Sequence, residues 1–301
     1  MTSILSLSQV TKRIEDKFTL GPLDLEIEPG VIVALVGPNG SGKTTLFRML
    51  MNMVQSDSGE LKLFHKQYPA DEVSIKQKVG YVSETSVIHE MFKTVSDALK
   101  FAAYWYPTWD VTYSELLLEK FEITRTDKLN GLSKGTRRKL DLILALAHHP
   151  DLLLLDEPSS GLDPFAWRLM MEEMAHYMEA GHRTVFMATH IMDEVRRLAD
   201  YVVFLYHGKL LGFYEKDALL DGWKTIWVDR LPAASANIKG IVAVEQDSSI
   251  KLISDSAQET LHSLKANDIN VIKTQSVDLD EIFMHLLHKN NLGSKREGKS
   301  G

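Results

Sequence analysis

The stretch that decides the fold lies near the N-terminus, at residues 32–45. It reads Ile32-Val33-Ala34-Leu35-Val36-Gly37-Pro38-Asn39-Gly40-Ser41-Gly42-Lys43-Thr44-Thr45. The first five residues form a short apolar run rich in β-branched side chains, which predicts a buried strand. Glycines follow at once, and the residues after them have helical spacing as far as Met53. A strand, a tight turn and a helix in this order open an α/β unit that binds phosphate.

The glycine-rich turn is suited to holding an anion. Glycines let successive backbone N–H groups turn inward without interference from a Cβ atom, and the following helix presents its positive end to the same anion. The candidate phosphate-binding residues are Gly37, Pro38, Asn39, Gly40, Ser41, Gly42, Lys43, Thr44 and Thr45. We expect Lys43 to reach the β- and γ-phosphates of a nucleotide, and the Thr44 hydroxyl to bind Mg²⁺. A chance glycine-rich turn is a poor alternative, because the flanking strand and helix stand in the required order.

A second apolar strand delivers two carboxylates. Residues 152–155 are four leucines, and Asp156 and Glu157 follow them directly. Because such strands end at the edge of the sheet where phosphate loops lie, both side chains are expected beside the phosphate site. Asp156 is the candidate Mg²⁺ ligand, and Glu157 is the candidate general base for an attacking water. Acidic residues often end strands, so this motif taken alone is weak evidence.

A third motif lies between the first two, at Leu132-Ser133-Lys134-Gly135-Thr136, and it opens a helical stretch. Ser133 is a good N-cap residue. The free N–H groups near Gly135 then form a second helix start that can bind an anion. Simple capping of a helix is the alternative interpretation of the same residues.

The order of these motifs identifies a family. The phosphate loop, a helical insertion, the Ser-x-Gly segment, the Asp-Glu strand, residues 159–163 and finally His190 resemble the ABC ATPases over about residues 4–220. The resemblance implies a P-loop NTPase core, with ATP and Mg²⁺ as its ligands. It further implies a head-to-tail dimer that sandwiches two ATP molecules. Each ATP would lie between Lys43 of one subunit and Ser133 and Gly135 of the other.

The same resemblance assigns roles to two more residues. Asp163, in the sequence Ser159-Ser160-Gly161-Leu162-Asp163, would lie where the two subunits meet and belong to the nucleotide-binding set. His190, after Ala188-Thr189, would contact the γ-phosphate and hold the attacking water and Glu157 in line. The predicted catalytic residues are therefore Glu157, His190 and Lys43.

Three departures from the family pattern leave alternatives open. Glu84 stands where many ABC ATPases have Gln; its carboxylate can still join Thr44 and Asp156 at Mg²⁺, or it contacts a membrane partner instead. Lys134 replaces a Gly of the signature, and it either adds charge for the triphosphate or points into solvent. A separate departure lies near the N-terminus, where Ile14 occupies the position at which the family often has an aromatic residue that stacks on adenine. Phe18 is either its substitute or a core residue.

Composition excludes several classes of protein. The 301 residues are 44% hydrophobic and 25% charged, which is ordinary for a globular protein with a core. A net charge of −7 gives no global basic field, so no nucleic-acid partner is expected. There is no cysteine to form disulfides or thiolate metal sites. We find no apolar run of the about 18 residues that a membrane helix needs, and no secretory signal at the start of the chain.

The alternation of helices and apolar strands predicts an α/β fold, a P-loop core of mainly parallel sheet with an antiparallel β part. We expect a cassette at residues 1–222, with a helical insertion at about 85–150. A small α+β accessory domain is expected at 223–289, and a disordered tail at 290–301. The pair His148–His149 before Pro150 is interpreted as a surface turn, and the eleven histidines show no metal-ligand spacing.

The resemblance implies that this chain works with a separate transmembrane permease subunit, at the cytoplasmic face of the cell membrane. Residues 106–110 and the ending at 277–283 resemble bacterial exporter-type ATPases, and the aromatic residues 104–109 suit docking of a partner or packing in a core. Two other hypotheses remain: a soluble ABC ATPase that acts on ribosomes or DNA, and a binding-only subunit paired with a second cassette. The dimer is accordingly either a homodimer or a heterodimer with a second ABC ATPase.

Overall fold

The computed structural model describes residues 3–14, 18–231, 238–246 and 249–297. The chain divides into two units, residues 1–213 and residues 214–301. The sequence predicts the boundary after residue 222 instead, where the pattern of residues shifts. The difference arises because the helix Lys216–Gly222 packs against the helix Ala257–Ala266 of the second unit.

The elements of the first unit alternate along the chain. In order they are β1 (Leu5–Ile14), β2 (Phe18–Ile27), β3 (Ile32–Val36), α1 (Lys43–Leu50), β4 (Ser58–Leu63), α2 (Glu72–Lys76), β5 (Val79–Val82), α3 (Ile88–Met91), α4 (Val95–Trp105), α5 (Val111–Lys120), a 3-10 turn (Leu129–Gly131), α6 (Lys134–Leu146), β6 (Leu152–Asp156), α7 (Pro164–Met178), β7 (Thr184–Thr189), α8 (Met192–Leu198), β8 (Tyr201–Tyr206) and β9 (Lys209–Glu215).

A six-stranded sheet of order β5-β6-β7-β3-β8-β9 forms the centre of this unit. The strands from β5 to β8 pair in parallel, and β6 and β7 are buried along their whole length. Strands buried on both faces read as continuous apolar runs, which is why the sequence revealed them. The predicted α/β fold is confirmed. The short strand β5 was missed because it has four residues and contains a glycine.

A three-stranded antiparallel sheet of order β2-β1-β4 supplies the predicted antiparallel part. The chain turns at Gly30 between β2 and β3. Gly30 has a φ of +87°, a conformation that glycine adopts without steric cost. Strand β4 went unpredicted because five of its six residues are at least partly exposed.

The insertion between β5 and β6 is helical, and the starts of its three longer helices, α4, α5 and α6, are capped by side chains. Thr94 and Asp97 form a reciprocal capping box at the start of α4. The Asp110 carboxylate accepts from the Tyr113 N–H at the start of α5, and the Ser133 hydroxyl accepts from the Thr136 N–H at the start of α6. Each cap satisfies a donor that the helix itself leaves free.

His148 is not on the surface, so the interpretation of residues 148–149 as a surface turn is wrong. Its side chain is 1% exposed, and its ring stacks on Tyr106 with centroids 3.8 Å apart. The Thr108 hydroxyl donates to the His148 carbonyl at 2.6 Å, and Asp110 lies 3.1 Å from the His149 ring. The segment from Tyr106 to Asp110 thus covers the end of the insertion.

Replacing His148 is expected to change how the fold responds to acid. Burial lowers the pKa of His148 from 6.5 to about 4, so the unfolded chain takes up its proton first. Stability from this group is complete above pH 6.5 and falls as pH drops towards 4, by about 3 kcal/mol in total. His148→Phe keeps a ring against Tyr106 without a titratable nitrogen, and should lack this loss. Urea unfolding of both proteins between pH 7 and pH 4 measures the difference.

The comparison isolates His148 because other buried groups are common to both proteins. Burial raises the pKa values of Asp141 and Asp156 to about 6. Their contributions to stability therefore fall as the pH rises, and they do so in both proteins. His182→Gln, at a side chain that is 65% exposed, serves as the control and should follow the wild type. A stability difference between wild type and His148→Phe that stays constant with pH would contradict the prediction.

The second unit is an α+β arrangement. Its elements are α9 (Lys216–Gly222), β10 (Lys224–Val228), β11 (Ile241–Gln246), β12 (Ile250–Ser254), α10 (Ala257–Ala266), β13 (Val271–Ser276) and α11 (Leu279–Glu297). The strands form an antiparallel sheet of order β11-β12-β10-β13. Ile226, Leu252 and Leu264 are among the residues of its core. The tail at 290–301 was expected to be disordered, but α11 continues to Glu297. Helical residues propagate from the apolar start of this helix. Residues 298–301 lie outside the described part.

Among the helices of the described residues, none combines the length and the apolar character that crossing a bilayer requires.

Candidate active site

Four neighbouring strands of the central sheet end at the same edge and deliver the predicted residues there. In the spatial order β5, β6, β7 and β3, they lead into Glu84, the pair Asp156–Glu157, His190 and the loop 37–42. Since parallel strands run in one direction, their carboxyl ends meet, and ligands bind outside this edge in open α/β sheets. Residues far apart in the sequence thereby become neighbours.

The loop 37–42 needs its glycines for two different reasons. Gly40 and Gly42 have φ values of +79° and +111°, which other residues rarely adopt. At Gly37, an added Cβ would lie 2.1 Å from the Leu205 carbonyl oxygen of β8. The loop is tied to the next turn by the Gly208 N–H, which donates to the Ser41 carbonyl at 3.0 Å. Gly42 then starts α1, whose first residue is Lys43.

Lys43, Glu157 and His190, the three predicted catalytic residues, form one chain of contacts. The Lys43 ammonium donates to the Gly37 carbonyl at 2.8 Å and lies 3.2 Å from Oε1 of Glu157. The other carboxylate oxygen of Glu157, Oε2, lies 2.8 Å from Nδ1 of His190. The Lys43 and Glu157 side chains are buried, whereas that of His190 is 50% exposed. The geometry unites these residues; their catalytic roles stay a prediction.

The backbone of Glu157 is held in an unusual conformation. Its φ is +50°, in the left-handed region that a residue with a side chain occupies only at a cost. Its N–H donates to the Ala188 carbonyl of β7 at 2.9 Å. The turn that follows the strand therefore aims the carboxylate back towards Lys43.

Asp156 has the features of a Mg²⁺ ligand. It is fully buried, and neither of its carboxylate oxygens has a hydrogen-bond partner among the described residues. Burial raises its pKa to about 6, the neighbouring Thr44 hydroxyl opposes this rise, and the nearby Glu84 carboxylate adds to it. Buried polar atoms without partners call for an explanation, and a hard cation bound by carboxylate and hydroxyl oxygens supplies one. The residues present therefore fit Mg²⁺.

The other predicted nucleotide-binding residues lie elsewhere. Ser133 caps α6, and an added Cβ at Gly135 would lie 2.6 Å from the Gly161 carbonyl oxygen. Asp163 caps α7 by accepting from the N–H groups of Phe165 and Ala166, both at 2.9 Å. The start of α6 thus packs on the turn that precedes α7 rather than joining the chain of contacts at Lys43. Capping, the alternative interpretation of Ser133, is observed, and an intermolecular role stays a prediction.

The two candidates for stacking on adenine are neighbours. Ile14 pairs with Phe18 at the end of the β1–β2 ladder. An added Cβ at Gly42 would lie 3.4 Å from the Phe18 ring, so this ring borders the phosphate loop. Phe18 also packs against the core as a partly buried residue.

Two buried charged residues at this edge were missed from the sequence. The Arg138 side chain on α6 donates to backbone carbonyls at the ends of β5 and β6. Glu194 on α8 is 3% exposed, and burial raises its pKa, which hydroxyls of Ser159 and Thr189 oppose. A signal existed for Arg138, since it precedes the buried Leu142 by one helical turn and thus stands at an inward-facing position. We find no comparable signal for Glu194.

The site combines a glycine-rich loop, which joins a parallel strand to a helix, with a lysine, a strand-end aspartate and a glutamate. This combination defines a P-loop nucleoside triphosphatase. Comparison with known proteins narrows this class. The sequence-family model described as ABC transporter matches residues 20–160. Nod factor export ATP-binding protein I of Cupriavidus metallidurans is 32% identical over 226 residues, covering 73% of this chain and 74% of that protein. The chain therefore belongs to the ATP-binding proteins of ABC transporters, which are ATPases.

One further relative and two solved structures are also similar to this chain. The ABC transporter ATP-binding protein YtrB of Bacillus subtilis is 30% identical over 216 residues, covering 72% of this chain and 73% of the relative. Among solved structures, an ATP-binding subunit of an ABC transporter superposes with a TM-score of 0.67 at 24% identity, covering 73% of this chain and 92% of the other. CbiO1 of Clostridium perfringens, part of the ABC transporter complex CbiONQ, gives 0.59 at 22% identity, covering 71% and 89%. The two structures support the fold alone.

Proposed function

We propose that this chain binds Mg·ATP at the edge of its central sheet and uses the hydrolysis of ATP to drive export through a separate membrane-spanning subunit. The observation that carries the proposal is the contact chain Lys43–Glu157–His190 beside the buried carboxylate of Asp156, which has no hydrogen-bond partner among the described residues. It combines a cation for phosphate, a metal ligand and a positioned base within one site.

Each residue has a definite task in this proposal. Lys43 turns from Glu157 and the Gly37 carbonyl to the phosphates. Asp156 and Thr44 hold the Mg²⁺, which neutralises phosphate charge when bound. Glu157 takes the proton of the attacking water, and His190 keeps the Glu157 carboxylate in place through its 2.8 Å contact. Glu84 lies at the same edge and would complete the metal-binding set.

A head-to-tail dimer would complete the site. Ser133 and Gly135 lie at the start of the thirteen-residue helix α6, which packs on the turn at Gly161. A triphosphate on the phosphate loop would lie against the helix start of another cassette. One anion would then satisfy two helix N-termini. The second cassette would be either a copy of this chain or a different ABC ATPase.

The membrane partner would dock in an apolar groove on the helical insertion. The groove has a volume of about 740 Å³, and its lining includes Val87, Met91, Phe101 and Trp105. These four side chains are 46–62% exposed, a concentration of apolar surface that typically marks an interaction site. Export is supported by the name of the similar Cupriavidus protein. Docking of this kind would place the chain at the cytoplasmic face of the membrane.

The docking proposal is tested by capturing the partner from membranes. A tagged chain, incubated with detergent extracts of its own host's membranes, should retain a protein with several membrane spans, identified by mass spectrometry. Trp105→Asp should abolish this capture, because it places a charge in the apolar groove. Ile272→Asp, at a side chain that is 65% exposed on the second unit, should capture as the wild type does. Copurification with ribosomes or DNA instead would favour a soluble ABC ATPase.

A further inference from the structure

Arg138 is a buried cation whose contacts are with backbone atoms. The residue is 4% exposed. Its Nη1 donates to the Ser83 carbonyl. Its Nη2 lies 3.1 Å from the Glu84 carbonyl oxygen, 3.3 Å from that of Asp156 and 3.0 Å from that of Glu157. One guanidinium group therefore joins the segment after β5 to the end of β6.

The charge of Arg138 is compensated without a direct ion pair among the described residues. Burial lowers its pKa, and the surrounding carboxylates of Asp141, Asp156, Glu84 and Glu157 raise it. A guanidinium stays protonated under these conditions. The acids thus keep the cation in place electrostatically, while its N–H groups remain available to hold carbonyls. A planar group with several fixed donors suits this task better than an ammonium.

Holding the Glu157 carbonyl matters because the backbone of Glu157 is left-handed, with φ at +50°. Such a conformation persists only where the surroundings fix it. The Ala188 carbonyl holds the N–H of this residue, and Arg138 holds its carbonyl. Together the two hydrogen bonds fix the peptide groups on both sides of the Glu157 Cα, and with them the direction of the carboxylate.

The same guanidinium reaches the surface where a partner would bind. Ser83, whose carbonyl accepts from Arg138, lines the apolar groove. Arg138 itself lines a small cavity of about 170 Å³ together with Glu84, His89 and Asp141. A shift of residues 83–84 would therefore change the hydrogen bonds of the group that also holds Glu157.

We propose that Arg138 is a positioning residue for ATP hydrolysis: it fixes the backbone of Glu157 and makes that position depend on residues 83–84. The inference rests on the proposed role of Glu157 as general base and adds to it a link between the base and the groove. Arg138 itself touches neither nucleotide nor reacting water in this account.

Arg138→Gln is expected to lower kcat for Mg·ATP hydrolysis by about 100-fold, as a misplaced catalytic group does. The KM and the Kd for ATP should stay within about threefold, because Lys43 and its loop are untouched. Arg138→Lys should fall between wild type and Arg138→Gln, since one ammonium cannot bridge both segments. Arg137→Gln, the neighbouring residue on α6, is the matched control and should keep the wild-type kcat. Melting temperatures are measured for all variants.

A double mutant separates positioning from a general structural role. If Arg138 acts through Glu157, the pair Arg138→Gln with Glu157→Gln should be no slower than Glu157→Gln alone, because effects of residues that act as a unit do not add. An additive loss, an unchanged kcat in Arg138→Gln, or a parallel loss of affinity and kcat would each overturn the inference. If Arg138→Gln fails to fold, Arg138→Lys serves as the test. A lower kcat with an unchanged KM supports the inference, and an unchanged kcat or a parallel loss of affinity contradicts it. An active Glu157→Gln would refute the base itself, independently of Arg138.

Discussion

Glu157→Gln is expected to lower kcat for Mg·ATP hydrolysis by about 10²–10⁴-fold, the range that general acid–base catalysis contributes. The amide has the shape of the carboxylate and can keep its contact with His190, yet it cannot accept the proton of the attacking water. The Kd for ATP should remain close to that of the wild type, since the phosphate loop is unchanged. Steady-state phosphate release and equilibrium nucleotide binding measure the two quantities separately.

The same variant should reveal the dimer. If two cassettes close around ATP and hydrolysis reopens them, Glu157→Gln with Mg·ATP is expected to accumulate as a dimer of twice the monomer mass in light scattering. Glu172→Gln, at an exposed glutamate of α7, is the matched control and should behave as the wild type. A mass that does not change when ATP is added would contradict the ATP-sandwich dimer. Wild-type turnover in Glu157→Gln would show that this residue is not the general base. Tight ATP binding without turnover in the wild type would indicate a heterodimer.

Lys43→Ala is expected to weaken ATP binding by about 100-fold or more. A hydrogen bond to a charged group contributes about 1.5–3 kcal/mol, and Lys43 would donate to two phosphates from a buried position. The structure shows the ammonium already at the mouth of the loop, 2.8 Å from the Gly37 carbonyl. Titration of the variant with a fluorescent ATP analogue measures the change in Kd.

Two controls make the Lys43 result decisive. Lys43→Ala leaves the buried Glu157 carboxylate without its cation, which destabilises the fold, so binding must be measured below the melting temperature of the variant. Lys100→Ala changes an exposed lysine of α4 and should bind ATP as the wild type does. Unchanged affinity in folded Lys43→Ala would refute the phosphate-binding role of the loop lysine.

The sequence predicted those parts of the site whose chemistry is local. A phosphate loop needs its glycines and lysine in an unbroken run, and the apolar strands that flank the other motifs are evident because parallel strands are buried on both faces. Hence the α/β fold and the family were predictable from the sequence alone. The resemblance, rather than any pattern of spacing, supplied His190, and the structure then placed its ring 2.8 Å from Glu157.

Short or exposed elements were not predictable in the same way. Strand β5 has four residues, and β13 is exposed along most of its length, so neither shows a hydrophobic period. His148 is buried because the segment 106–110 folds back over it. No sequence pattern around residues 148–150 predicts that contact. These are cases in which tertiary packing decides what local sequence leaves open.

By itself, then, the sequence determined that this protein has a phosphate loop, an apolar strand ending in Asp156–Glu157 and the motif order of an ABC ATPase, because each of these is encoded within a few consecutive residues. Only the tertiary structure decided that Arg138 lies under the backbone of Glu157, that Glu157 adopts a left-handed φ, and that the Asp156 carboxylate has no hydrogen-bond partner among the described residues. Burial and hydrogen bonding are set by segments that meet at the sheet edge from distant parts of the chain. No single stretch of residues contains that information.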